Sequence, residues 1–248
     1  MKMSYIVAID GPAGAGKGTI TKLVAKDMGL VSIDTGMLYR CHALAVLKNN
    51  ISITNEKEVV DILEKIDIDL RNNDNKQLVF LNGEDVTNQI RTPEVSSIVS
   101  QTSTFPKVRE KITQLERKIG YKWLKEGKNI IMEGRDITTV VFPDAKVKIY
   151  LDATPIERAK RRCRQNKKNG INQSFEEVLQ SIMARDKNDM NKAVGALKKA
   201  PDAIYVDSSK SSVNKTKHKI IRIIKQKTNE GKRSVRNDNY KKNIKSNR

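Results

Sequence analysis

Apolar and polar positions fall into two kinds of block along this chain. Five short runs are rich in Ile and Val: Tyr5–Asp10, Val31–Asp34, Asn129–Glu133, Val147–Asp152 and Ala203–Asp207. Several close on an acidic residue. Near-continuous apolar runs of this length suit parallel strands buried on both faces. Between them the apolar positions take helical spacing. Thr19–Met28 ends at Gly29, a helix stop, and Tyr39–Lys48 follows the second run. Val95–Leu124 is long and breaks at Phe105-Pro106, because proline interrupts the helical ladder. Pro155–Gln165 opens on Thr154-Pro155, an N-cap followed by proline at the first helical position. Ser174–Arg185 opens on Ser174 with Glu177 three residues on, a capping box.

Strands alternating with helices predict an α/β fold with a doubly wound, five-stranded parallel sheet. One stretch departs from the alternation. Ile66–Leu70 and Gln77–Leu81 flank Asn72-Asn73-Asp74-Asn75 and read as a hairpin. Asn82-Gly83 offers a second tight turn before Glu84–Val86. A small antiparallel insertion, about residues 64–93, is expected at the edge of the core. No internal repeat is found.

Length and composition narrow the classes. The chain has 248 residues, enough for one large domain with decorations and a real core. No apolar stretch approaches the length of a spanning helix, and the amino-terminal residues predict no signal peptide. The two cysteines, Cys41 and Cys163, cannot build a disulfide framework. The two histidines, His42 and His218, are too few for a His-based metal cluster. A cytoplasmic protein is expected. The net charge is +19, and Lys210–Arg248 carries 14 Lys and Arg against 2 Asp and Glu. Residues 228–248 have few apolar positions and are expected to form a disordered basic tail after a domain of residues 1–227. A solvated tail is favoured over a nucleic-acid tether.

The chemistry concentrates after the first strand, in Gly11-Pro12-Ala13-Gly14-Ala15-Gly16-Lys17-Gly18-Thr19. The run fits G-x-x-x-x-G-K and stands between a strand and a helix, the context of a phosphate-binding P-loop. Glycines let several backbone N–H groups face one point at a helix N-terminus, where the dipole favours anions. Lys17 adds a mobile charge for the β and γ phosphates, and the Thr19 hydroxyl can serve Mg²⁺ or phosphate. A flexible Gly/Ala loop without a ligand is the plain alternative, and the spacing argues against it.

G-K-G-T in place of G-K-S/T resembles the nucleoside monophosphate kinases. Longer motifs narrow this further: Asp34-Thr35-Gly36-Met37-Leu38-Tyr39-Arg40, Asn82-Gly83-Glu84-Asp85-Val86-Thr87 with Ile90-Arg91-Thr92-Pro93-Glu94-Val95-Ser96, Phe105-Pro106-Lys107-Val108-Arg109, and Gly134-Arg135-Asp136 through Ala145. Over roughly residues 4–225 the chain is similar to bacterial-type cytidylate kinases. The resemblance implies transfer of the γ-phosphoryl group of ATP, with Mg²⁺, to CMP or dCMP, in a monomer with no membrane partner. ATP phosphates would lie on residues 11–19, with the acceptor across the crevice at the carboxyl ends of the strands. It implies acceptor contacts from Thr35, Tyr39, Arg40, Ser100, Arg109, Arg135, Asp136 and Asp189. Arg40 and Arg135 would lie near the phosphate, with Ser100, Arg109 and Asp189 reading the base. Lys17, Arg135, Arg158, Arg162 and Arg185 would stabilise the moving phosphoryl group. Arg158, Arg161, Arg162 and Arg164 precede the polar segment Asn166–Asn172, and residues 158–192 are the candidate helical lid. Taken alone, any one of these arginines would be read as a surface or ion-pairing side chain. No confident protein ligand for Mg²⁺ can be named.

Departures from the family pattern cluster in Arg185-Asp186-Lys187-Asn188-Asp189-Met190-Asn191-Lys192 and Gly195-Ala196-Leu197. The family has Arg at 188 and 192 and Pro at 196. Lysine at 192 keeps charge but not the bidentate fork, so turnover is expected to be weakened rather than lost. The competing readings are a kinase for another small acceptor (uridylate, adenylate or shikimate type) and a nucleic-acid-binding NTPase that uses the tail.

Overall fold

A computed structural model of the chain describes residues 4–73, 76–168 and 170–228. Along the chain, β1 (Ile6–Asp10) leads through the glycine-rich loop into α1 (Lys17–Met28), β2 (Val31–Asp34), α2 (Gly36–Lys48) and the short α3 (Glu56–Asp61). The insertion follows as β3 (Ile68–Asn73), β4 (Lys76–Leu81) and β5 (Glu84–Asp85). Then come α4 (Pro93–Thr102), α5 (Pro106–Lys125), β6 (Ile130–Gly134), β7 (Val147–Asp152), α6 (Pro155–Lys168), α7 (Phe175–Met190), β8 (Ile204–Asp207) and α8 (Val213–Lys227).

The main sheet has the order β2-β6-β1-β7-β8, and every neighbouring pair is parallel. Alternation along each strand divides the core in two. Val7 and Ile9 of β1, with Ile131 and Ile149, meet Ile20 and Val24 of α1 and Ile220 and Ile224 of α8. Ile6, Ala8, Ile130 and Met132 face the other way, onto Leu38 and Cys41 of α2 and Val108 and Ile112 of α5. Burial of side chains of this size contributes roughly 1.5–3 kcal/mol each.

The insertion is a second, antiparallel sheet in the order β3-β4-β5. Asn82 and Gly83 both have positive φ, 50° and 84°, which is the I′ geometry of a two-residue hairpin turn. Its buried Ile68, Leu70, Val79 and Leu81 join the α2 side of the core. Gln77 Oε1 accepts from the Asp34 backbone N–H at 2.7 Å, which fixes the insertion beside the end of β2.

Differences from the sequence expectation lie at element ends. The first hairpin strand starts at Ile68 rather than Ile66, because Asp67 is engaged by Asn82 through its backbone N–H and C=O. The 95–124 pattern is two helices, separated at Phe105-Pro106. The Ser174 capping box is formed, but α7 runs on to Met190, so Asp186, Asn188 and Asp189 are helical and do not follow a helix end at Arg185. Helices α3 and α8 were not expected. The tail lies, from residue 229 on, outside the described residues.

Candidate active site

The carboxyl ends of the parallel strands converge on the loop of residues 11–16. Gly11, Gly14 and Gly16 have φ of 154°, 79° and 95°. A Cβ on Gly11 would lie 1.9 Å from Leu151 O, so the loop can run against β7 only with glycine there. Its carbonyls are held from outside: Arg158 Nη1 donates to Ala13 O at 3.1 Å, and Arg161 Nη1 and Ser208 Oγ donate to Ala15 O, each at 3.2 Å. Fixing the carbonyls on that side suits a loop whose amides serve the opposite one. Lys17 opens α1, is buried, and donates to Gly11 O at 2.7 Å and Pro12 O at 3.0 Å. Burial, with help from Arg135, pushes its ammonium down to about 7, against the pull of Glu133 and Asp10. Pro12, Ala13 and Ala15 are buried, Gly18 is half-buried, and Thr19 is exposed on the first turn of α1.

Two strand-end acids brace the crevice floor. Asp10 accepts from the backbone N–H of Ile137 and Thr138 and from Thr138 Oγ1, at 2.9, 2.7 and 2.6 Å. Glu133 meets Thr21 Oγ1 at 3.3 Å, and burial, followed by repulsion from Asp34, raises it to about 8.

The basic residues divide into two sets. Arg109, 3% exposed, donates through Nη2 to Asp136 Oδ2 at 2.6 Å and through Nη1 to Ser103 O, and lies 5.3 Å from the Tyr39 ring centre. Gly195, with φ 64°, sits against this pair: a Cβ there would be 2.2 Å from Asp136 Oδ2 and 2.4 Å from Arg109 Nη2. Arg135 donates through Nε to Asp189 Oδ2 at 2.9 Å, and Lys192 donates to Asp189 Oδ1 at 2.7 Å. Burial alone would raise Asp189; Arg135 and Lys192 hold it well below the usual carboxylate range. Arg185, brought down to about 10 by burial and then by Arg135, faces Asp189, Arg40 and Arg162 as well. Neither Arg162 nor Arg185 makes a hydrogen bond or ion pair among the described residues. Arg40 donates through Nη1 to Ser96 Oγ at 2.8 Å and to Ile90 O at 3.2 Å. Thr35, at the head of α2, gives its hydroxyl to Glu133 O at 2.9 Å.

The structure gives several of these residues definite partners. Asp189 takes Arg135 and Lys192, and the buried partner of Arg109 is Asp136. Ser100 instead takes the Asn188 amide, at 3.0 Å on its carbonyl and 3.1 Å on its hydroxyl. Arg158 is held by the protein itself. It is buried, with Nε on Ala153 O at 2.8 Å and Nη2 on Asp186 Oδ2 at 2.6 Å. Arg164 is exposed, 3.9 Å from Glu157. The departures at 188 and 192 are therefore occupied positions, for Lys192 also reaches Ser103 Oγ at 3.1 Å. The sequence gives no site role to Ser208, Glu133 or Gly195, and places Arg161 only among the lid arginines. Of the first three only Glu133 left a signal, as an acid closing a strand in the manner of Asp10.

A parallel β2-β6-β1-β7-β8 sheet, with a glycine-rich loop and a buried lysine between its middle strand and the next helix, defines a P-loop kinase fold. Comparison with known proteins takes the assignment further. The family profile for cytidylate kinase matches residues 7–226. The cytidylate kinase of Caldicellulosiruptor bescii is 46% identical over 88% of this chain and 94% of its own length. That of Bacillus subtilis is 40% identical over 92% of this chain and all of its own. The chain belongs to the cytidylate kinase family, which catalyses ATP-dependent phosphorylation of CMP and dCMP. Among solved structures, a shikimate kinase from Acinetobacter baumannii in complex with shikimate aligns over 90% of this chain and 94% of its own. Its identity is 16% and its TM-score 0.41, too loose a likeness to weigh beside the family match.

Proposed function

We propose that this chain moves the γ-phosphoryl group of ATP to CMP or dCMP on one cluster of cationic groups, Lys17, Arg40, Arg135, Arg162 and Arg185. The observation that carries the reading is the surplus charge. Among the described residues Arg162 and Arg185 make no ion pair, and burial, followed by Arg135 and then Arg40 and Arg162, lowers the proton affinity of Arg185. Cations held together this way call for a polyanion. Phosphoryl transfer needs alignment and charge stabilisation and no covalent intermediate. Residues 11–19 bind the ATP phosphates, and Lys17 turns from its own loop carbonyls to the transferring group. Arg135 and Arg185 hold the in-flight phosphoryl oxygens, and Arg40 holds the acceptor phosphate. Mg²⁺ neutralises phosphate charge when bound. The ion would come with the triphosphate, and Thr19, exposed on the first turn of α1, would be the protein hydroxyl available to it.

Arg109 and Asp136 read the base, and Ser100 and Tyr39 border it. Cytosine offers an N–H₂ donor where uracil offers a carbonyl. A carboxylate held by Arg109 accepts from the first and repels the second. Asp189 orients Arg135 and Lys192 at the sugar and phosphate end. Arg158 positions the loop. Residues 158–192, which hold most of α6 and all of α7, close as the lid. The setting is the cytoplasm, the enzyme works as a monomer, and the tail contacts no nucleic acid during catalysis. The test is a panel of nucleoside monophosphates with ATP and Mg²⁺. CMP and dCMP should be phosphorylated and UMP and AMP poorly; a preference for either of the latter would overturn the base assignment.

A further inference from the structure

Behind the Arg109–Asp136 pair, α5 turns one more acid inward. Glu116 follows Arg109 by two helical turns on the same face and is 1% exposed. Neither of its carboxyl oxygens has a hydrogen-bond partner among the described residues. The groups facing it are Arg109 on its own helix, Thr35 and Tyr39 from α2, Asp136 after β6 and Asp10 at the end of β1. The Tyr39 hydroxyl and Arg109 Nε are buried without partners in the same layer.

An ionised Glu116 does not fit this place. A buried carboxylate without donors is costly, and Asp136 and Asp10 repel it. Arg109 is the cation within reach, but its two terminal nitrogens are committed to Asp136 and Ser103 O, and its Nε makes no hydrogen bond to Glu116. The Thr35 hydroxyl donates its only proton to Glu133 O, so it offers Glu116 a lone pair and nothing to accept. A protonated Glu116 fits better, since a neutral acid buries no unpaired charge and is not repelled by Asp136 and Asp10. Burial first, and then Asp136, hold that proton well above the usual carboxyl range.

We infer that Glu116 is a positioning residue for the acceptor base: as a neutral acid it leaves Asp136 the sole carboxylate on Arg109 and so keeps the base-reading fork in one geometry. The inference rests on the reading of Arg109 and Asp136 as the base contacts. No proton passes to the substrate. When Glu116 loses its proton, two carboxylates share one guanidinium, Asp136 is repelled, and the acceptor binds less well.

The experiment measures KM for CMP, KM for ATP and kcat from neutral to alkaline pH, in wild type, Glu116→Ala and Glu116→Gln. In wild type the KM for CMP should rise on the alkaline side by roughly tenfold, the scale of an unpaired buried polar group. Glu116→Gln has no proton to lose, so its KM for CMP should lack that rise, while its KM for ATP follows the wild type throughout. Glu116→Ala should raise the KM for CMP at every pH, and the Gln variant should restore it at neutral pH, which a general loss of packing would not explain. A readout without turnover is the infrared carbonyl stretch of a protonated carboxyl, present in wild type at neutral pH and missing in Glu116→Gln. The same alkaline rise in both proteins, or no such band, overturns the inference. Failure of the underlying reading looks different: Arg109→Ala and Asp136→Asn would leave the KM for CMP and the preference over UMP unchanged, and the inference would fall with it.

Discussion

Lys17 shows how one side chain serves two demands. Its ammonium is buried beside Arg135, which works against its charge, and it is kept in place by two carbonyls of its own loop. Lys17→Ala should therefore lower phosphoryl transfer by about a hundredfold or more with little loss of melting temperature; full turnover in a coupled assay would refute the phosphate site. Asp189 makes the opposite case, a carboxylate held ionised by Arg135 and Lys192. Its folded pKa lies below the unfolded value near 4. The unfolded state thus binds the proton more readily, and the stabilisation is present above that value and lost as pH falls through the folded one. Urea titrations at neutral and acidic pH should show wild type losing stability on acidification more steeply than Asp189→Asn; equal slopes would mean that the ion pairs contribute nothing. The same position marks the limit of sequence reading at this scale. Residues 11–19 were legible because nine consecutive residues make the loop. The partners Arg109 and Asp136 lie 27 positions apart, and Arg135 and Asp189 lie 54 apart, so only the fold decides which acid meets which arginine.

Helices and strands carry these side chains, and Arg158 is the clearest joint between elements. From α6 it reaches Ala13 O in the loop, Ala153 O after β7 and Asp186 on α7. Removing it leaves Asp186 a buried carboxylate without its cation, which costs about 3–5 kcal/mol. Arg158→Ala should therefore lower denaturant stability by that order and raise the KM for ATP. If stability fell and ATP binding were untouched, the tether to the loop would have no functional weight. The strands were readable because burial on both faces leaves Ile- and Val-rich runs with few polar positions. Helix α8 was overlooked although Thr216, Ile220, Ile223 and Ile224 follow helical spacing; lysines from 210 onward masked the pattern. Helix α3 is six residues long, too short to show a period. The end of α7 was misplaced because polar residues such as Asp186 and Asp189 point into the site, where a sequence pattern expects solvent.

At the scale of the whole molecule, the question is what the basic carboxyl-terminal segment adds. Helix α8 is part of the core: Ile220 and Ile224 are fully buried beneath β1 and β7, and Lys217 is paired with Asp27 of α1. The family match ends at residue 226, one position before the helix does. The cationic cluster, the loop and the Arg109–Asp136 pair all lie at the opposite, carboxyl ends of the strands. Every residue named above as holding the site lies before Lys227. A chain ending at Lys227 should fold with an unchanged melting temperature and phosphorylate CMP with kcat and KM within about twofold of the full chain, the range expected for surface changes away from a site. Any binding of DNA or RNA that weakens steeply with salt should disappear in the same truncation, because the tail removed carries 7 Lys and Arg against 2 Asp and Glu. A truncated chain that lost CMP turnover would place the tail inside the enzyme's working structure. One that kept its salt-sensitive binding would move the nucleic-acid surface onto the exposed lysines of α8.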